Sequence, residues 1–137
     1  MPHLDHVTGL RSRGDLEAFF GTPAGAADDL AVAMIDVVGL KDVNAHDGFA
    51  AGDTCLRHAA GRLQDAAPDA AILARLGGDE LVAVFVGAAA GAAAARTVAR
   101  VGGGGGAPRL RAAAVDRRPG EPATAMIDRL YAIVRRC

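Results

Sequence analysis

Leu30 to Val37 form a near-continuous apolar run broken only by Asp36. A short run of that kind, without helical spacing, suits a strand buried on both faces. It is the strongest strand signal in the chain. Ala71 to Leu76 and Leu81 to Val86 read as two further strands, joined by Gly77-Gly78-Asp79-Glu80. A Gly-Gly pair between apolar runs predicts a hairpin in which both glycines take positive φ. Leu110 to Val115 is a weaker fourth strand.

Helical spacing separates these strands. Leu56, Ala59, Ala60 and Leu63 define a helix over 53–66, with Asp53 placed as its N-cap or first-turn acid. Gly87 to Val101 is an alanine-rich helix, and Ala123 to Arg136 a last one, with Met126, Leu130, Ile133 and Val134 on one side. A short helix from Asp15 to Phe20 is stopped by Gly21-Thr22-Pro23. Between Gly39 and Gly52 the chain is polar and turn-rich, with a brief helix around Lys41 to Ala45. The glycines of 102–106 read as a disordered loop. Setting aside the first helix, the order is βαββαβ. The expectation is an α+β fold, ferredoxin-like or palm-type, with a central antiparallel sheet and flanking helices packed on one face.

At 137 residues the chain fits one domain over 1–137, with no sensor domain. An apolar share of 51% supplies a core, while a net charge of −1 argues against the basic surface that non-specific nucleic-acid binding requires. No apolar run approaches the ~20 residues of a membrane helix, and no signal peptide is visible. The expected partners therefore include neither nucleic acid nor membrane, and the expected location is cytoplasmic. Two cysteines make no disulfide framework. The four histidines show no metal-ligand spacing and read as surface or helix residues. Of the fifteen basic residues only Lys41 is a lysine, and it stands beside an acidic stretch.

In a βαββαβ sheet the first and third strands are antiparallel neighbours. Asp36 closes the first and Asp79 opens the third, so topology brings both carboxylates to one edge. Two carboxylates there suit Mg²⁺, which takes one or two of them and fills its remaining positions with phosphate oxygens and water. The competing account is structural: Asp36 ends a strand and Asp79 is an exposed hairpin residue.

Four blocks carry a resemblance to a known family. Gly77-Gly78-Asp79-Glu80-Leu81, after Ala74-Arg75-Leu76, resembles the signature hairpin of GGDEF domains, the diguanylate cyclases, with Leu in place of Phe. Asp5 to Arg13 (DHVTGLRSR) resembles the family's D-x-L-T-G-L-x-N-R opening. Asp36 to Asp53 (DVVGLKDVNAHDGFAAGD) resembles D-x-D-x-F-K-x-I-N-D-x-x-G-H-x-x-G-D at the same spacing, and Gly52-Asp53-Thr54-Cys55-Leu56 continues into a helix as the family does.

The resemblance implies a diguanylate cyclase that condenses two GTP into cyclic di-GMP and two pyrophosphates across a homodimer. Asp36 and Asp79 would hold Mg²⁺, or Mn²⁺ in its place, with the Val37 carbonyl as a further ligand. Glu80 would assist at the metal or at deprotonation of the ribose 3′-hydroxyl. Asn44 and Asp53 match the positions that read the guanine edge, Lys41 matches the lysine facing the triphosphate, and Gly77 and Gly78 form the substrate-side turn. The structural alternatives are a turn residue for Asn44 and an N-cap for Asp53.

The sequence departs from the pattern at several points. Val38 replaces the second acid of D-x-D, Leu40 the aromatic before the lysine, and Phe49 the histidine after Gly48. Ala112-Ala113-Ala114-Val115 replaces S-I-G-V-A, and Val134 stands where the family has a phosphate-facing lysine. Arg135 and Arg136 point about 100° and 200° away from position 134 on a helix, leaving Arg75, Lys41 or these arginines to supply charge. The product-inhibition pattern R-x-x-D would fall at Pro68 and Ala71, so that site is expected to be absent. Two alternatives follow. One is a degenerate domain that binds GTP or another ligand and acts through a regulatory protein partner without turnover. The other is a cyclase making a different cyclic dinucleotide.

Overall fold

A computed structural model describes residues 2–103 and 108–136. Its elements are α1 (Arg13–Phe20), β1 (Leu30–Val37), α2 (Leu40–Asp47), α3 (Phe49–Ala66), β2 (Ile72–Arg75), β3 (Glu80–Val86), α4 (Ala90–Gly102), β4 (Leu110–Asp116) and α5 (Ala123–Val134). The strands form one sheet in the order β2-β3-β1-β4, and every pairing is antiparallel. The βαββαβ order expected from the sequence is present, with β1 at the centre. Of the glycine run, 104–106 lie outside the described residues.

Strand periodicity divides the core in two. Ala31, Ala33, Ile35 and Val37 face α2, α3 and α4, where they meet Leu56, Leu63, Ala93 and Ala94. Leu30, Val32 and Met34 face the other way, against Leu16 of α1 and Met126, Leu130 and Val134 of α5. The helices therefore cover both faces, correcting the one-face expectation. The two crossover helices do share a face; α1 and α5 take the other because β1 is apolar on both sides and each side needs cover. Burying one such Leu or Ile side chain contributes about 1.5–3 kcal/mol.

The segment before α1 runs along β2. Arg11 N–H donates to the Leu73 carbonyl at 3.0 Å, and Arg75 N–H to the Arg11 carbonyl at 2.9 Å. Asp5 folds this segment into a turn by accepting from the Thr8 backbone N–H and hydroxyl, both at 2.8 Å. Gly9 completes the turn at φ 75°, a conformation that favours glycine. Ser12 then caps α1 by accepting from the Asp15 N–H.

Candidate functional site

The β1–β3 register sets the site. Asp36 stands directly opposite Glu80, and the Val37 N–H donates to the Asp79 carbonyl at 3.0 Å. Asp36, Asp79 and Glu80 line a cleft of about 180 Å³ together with Met34, Tyr131, Val134 and Arg135. The carboxylates thus lie at the end of the sheet on its α5 face. A larger groove of about 500 Å³ separates α1 from α5; it contains none of the metal, catalytic or substrate residues expected from the sequence and meets the cleft at Tyr131.

Inside the cleft the acids are unequal. Burial, then the neighbouring Asp79, raises the Glu80 carboxyl above its ordinary value, while a hydrogen bond with Tyr131 pulls the other way. The Tyr131 hydroxyl is itself raised to about 12 by burial and by Glu80. Glu80 accepts from the Asp79 N–H at 3.1 Å. Asp36 Oδ2 lies 3.4 Å from Arg111, and its buried Oδ1 has no hydrogen-bond partner among the described residues. Among the described residues, no group of three or more His, Cys, Asp or Glu side chains is placed to hold a metal ion by itself. An unpartnered buried carboxylate oxygen beside the adjoining Asp79 and Glu80 acids fits Mg²⁺ that completes its shell with phosphate oxygens and water.

The hairpin differs from the sequence expectation. Neither Gly77 nor Gly78 has positive φ. Gly77 instead leaves room for the Glu80 carboxylate, which folds back over the turn; a Cβ there would come within 2.8 Å of it and displace it. Arg75 fastens the hairpin from behind. It donates to the Gly77 and Gly78 carbonyls at 3.2 and 2.9 Å and pairs with Asp5 at 3.1 Å. Arg75 is therefore committed to the protein and drops out as a source of charge for a triphosphate. Burial pushes the Asp5 carboxyl up, but the Thr8 and Arg75 bonds outweigh it and hold the group below its ordinary value.

The remaining site residues lie across the β1–α2 turn. Gly39, at φ 76°, lets the chain enter α2 without a side-chain cap, and Lys41 is exposed in the first turn. Asn44 lies within α2 instead of a turn. Asp53 lies in α3, whose N-cap is Gly48, so Asp53 is no N-cap; the helix starts earlier than its apolar spacing indicates. Gly52 packs so closely on the Asn44 amide that any side chain would collide with it. Asn44 Oδ1 is buried and has no partner among the described residues. Both side chains are half-buried where α2 meets α3.

Arg111 escaped the sequence, whereas Arg135 was among the arginines it offered as a source of charge. Arg111 stands opposite Asp36 in the β1–β4 register; an arginine inside an otherwise apolar strand was the available signal. Arg135 lines the cleft because it follows the last turn of α5 and lies over the Tyr131 ring, 5.2 Å from its centroid. The bearing of about 100° from Val134 thus carries it toward Tyr131. All four histidines are exposed.

An antiparallel palm-like sheet with acids at the β1–β3 end defines the architectural class, and the comparisons give the family. The model of the family described as diguanylate cyclase, GGDEF domain, matches residues 2–102, so the chain belongs to the GGDEF family. It is 38% identical over 84 residues to an uncharacterized signaling protein of Caulobacter vibrioides, covering 58% of this chain and 10% of that protein. It is 34% identical over 92 residues to the diguanylate cyclase TpbB of Pseudomonas aeruginosa, covering 64% of this chain and 21% of TpbB. The chain thus spans about a tenth to a fifth of the length of these curated relatives. Among solved structures, the GGDEF domain of DgcB from Caulobacter crescentus, in complex with c-di-GMP, is similar with a TM-score of 0.78 at 22% identity, covering 97% of this chain and 88% of that one. The diguanylate cyclase SiaD of Pseudomonas aeruginosa, in complex with its activator SiaC, gives 0.77 at 21% identity, covering 97% and 56%. The fold likeness therefore continues beyond residue 102, through the part of the chain that departs furthest from the family pattern.

Proposed function

We propose that this domain is a diguanylate cyclase, joining two GTP into cyclic di-GMP and releasing two pyrophosphates. The observation that carries the reading is the β1–β3 register, which sets Asp36, Asp79 and Glu80 around one cleft in a GGDEF fold. Asp36, Asp79 and the Val37 carbonyl would hold Mg²⁺, or Mn²⁺ in its place. When bound, the ion neutralises phosphate charge and favours ionisation of the attacking hydroxyl. At the far end of the site, the unpartnered Asn44 Oδ1 and the Asp53 carboxylate are acceptors suited to the N1–H and N2–H donors of guanine. Lys41 and the uncapped first turn of α2 meet the phosphates.

Glu80 takes the 3′-hydroxyl proton, and its raised affinity for a proton suits that role. The 3′-oxygen forms a bond to the α-phosphorus of the GTP on the facing copy, and the bond to pyrophosphate breaks. The same exchange in the other direction closes the ring. One copy holds one GTP, so turnover requires a homodimer. Specific activity should therefore rise with protein concentration in a pyrophosphate-release assay with GTP and Mg²⁺. Activity per mole that is constant across dilution into the monomeric range would contradict the reading.

A second reading, nucleotide binding that acts through a regulatory protein partner without turnover, is favoured by two observations. Val134 is buried at the position of the family's lysine, and Arg111 pairs with Asp36. Tight GTP binding without pyrophosphate release at any protein concentration would establish it.

A further inference from the structure

Glu80, Asp36 and Arg111 stand in one row across β3, β1 and β4, on the α5 face of the sheet. Asp36 at the centre thus has an acid on one side and a guanidinium on the other. The Arg111 guanidinium lies 3.4 Å from Asp36 Oδ2, where the Asp36 side chain is only 14% exposed. The pair is incompletely satisfied. Asp36 Oδ1 and Arg111 Nε are both buried, and neither has a hydrogen-bond partner among the described residues. Breaking such a pair by removing one charge leaves the other uncompensated. An arrangement with an unused acceptor on one side and an unused donor on the other is instead suited to receiving a ligand that carries both charges.

We propose that Arg111 is a built-in cation that competes with the divalent ion for Asp36, so that the metal enters efficiently only together with nucleotide phosphate. This rests on the reading above that Asp36 is a metal ligand. Before nucleotide arrives, Arg111 neutralises Asp36, and a divalent ion at Oδ1 meets a fixed positive charge a few ångströms away. In a partly buried site that repulsion is substantial. A triphosphate removes the conflict by bringing negative charge to both cations. The guanidinium then turns its free Nε–H and terminal N–H groups to phosphate oxygens, for which its fork geometry is suited. Arg111 thereby supplies charge on the phosphate side, where Val134 has replaced a lysine.

The test is Mn²⁺ binding to the whole chain, followed by the electron spin resonance signal of free Mn²⁺, with and without a non-hydrolysable GTP analogue. Without nucleotide, Arg111→Gln is expected to bind Mn²⁺ about tenfold more tightly than the parent. With the analogue present, that advantage should shrink or reverse. Arg111→Met, similar in stem length and uncharged, gives the same readout should the glutamine variant fail to fold. Equal or weaker Mn²⁺ binding by a folded, uncharged variant without nucleotide overturns the proposal. Asp36→Asn separates the two levels of the account. If it abolishes Mn²⁺ binding while the Arg111 variants match the parent, the competition fails and the metal assignment stands. If it binds Mn²⁺ as the parent does, both fall.

Discussion

Gly77 and Glu80 show how much a single residue decides in this site. The hairpin's glycine serves less for backbone freedom than for the space in which the Glu80 carboxylate folds back. Gly77→Ala should therefore leave the domain folded, because the group that must move is the end of a flexible side chain. We expect a stability cost of no more than about 1 kcal/mol by urea denaturation, of the order seen away from tightly packed cores. Pyrophosphate release should fall at least tenfold. Full activity in this variant would show that the position of Glu80 is immaterial. Acid denaturation belongs to the same scale. The Arg11 and His3 bonds hold Asp15 down at about 2, the Arg129 pair holds Glu121 at about 2, and Asp5 is also lowered. Their folded values lie below their unfolded ones, so the stability they contribute is present above about pH 4 and is lost as pH falls toward about 2. Glu80 has the opposite sign. Its folded value is raised, so ionisation at neutral pH opposes folding, and Glu80→Gln should be at least as stable as the parent at pH 7. A thermal melt at pH 7 showing clear destabilisation would contradict that sign.

At the scale of elements, α5 carries more of the site than its sequence suggests. Leu130 is fully buried beside Met126 and Val134 against the back of β1, and the same helix presents Tyr131 and Arg135 to the carboxylates. Leu130→Ala should cost about 2–5 kcal/mol, the range for deleting a buried leucine side chain. Nucleotide binding should weaken with it as Tyr131 loses its backing. A loss of stability with unaltered binding would show that the cleft does not depend on how α5 is seated. The elements were legible because their signals are local. The run 30–37 and the spacing of Leu56, Ala59, Ala60 and Leu63 report burial directly. The start of α3 was not legible, because Phe49 is exposed and its first turn has no acidic side chain to announce it. The partner of Asp36 was hidden for a different reason. Arg111 is 75 positions further along the chain, and only the β1–β4 register joins them.

At the scale of the whole molecule, an apolar central strand requires cover on two faces, and those two layers divide the labour. The α2–α3 side holds Asn44 and Asp53, to which the proposed function gives the base, while the α5 side surrounds the carboxylates to which it gives the metal and phosphates. The Gly39 turn and the first turn of α2, which carries Lys41, follow directly on the end of β1. The topology and the acids could be read from the sequence because both follow the order of the strands. The charge balance around the acids could not, since Arg75 is spent on the hairpin, Arg111 meets Asp36 across the β1–β4 register and Arg135 lines the cleft from the end of α5. The most direct measurement is mass spectrometry of the products formed when concentrated protein meets Mg²⁺ and an equimolar mixture of the four nucleoside triphosphates. The account predicts cyclic di-GMP from the parent and none from Asp79→Asn. A different cyclic dinucleotide would contradict the roles given to Asn44 and Asp53, and no product at high concentration would contradict the cyclase itself.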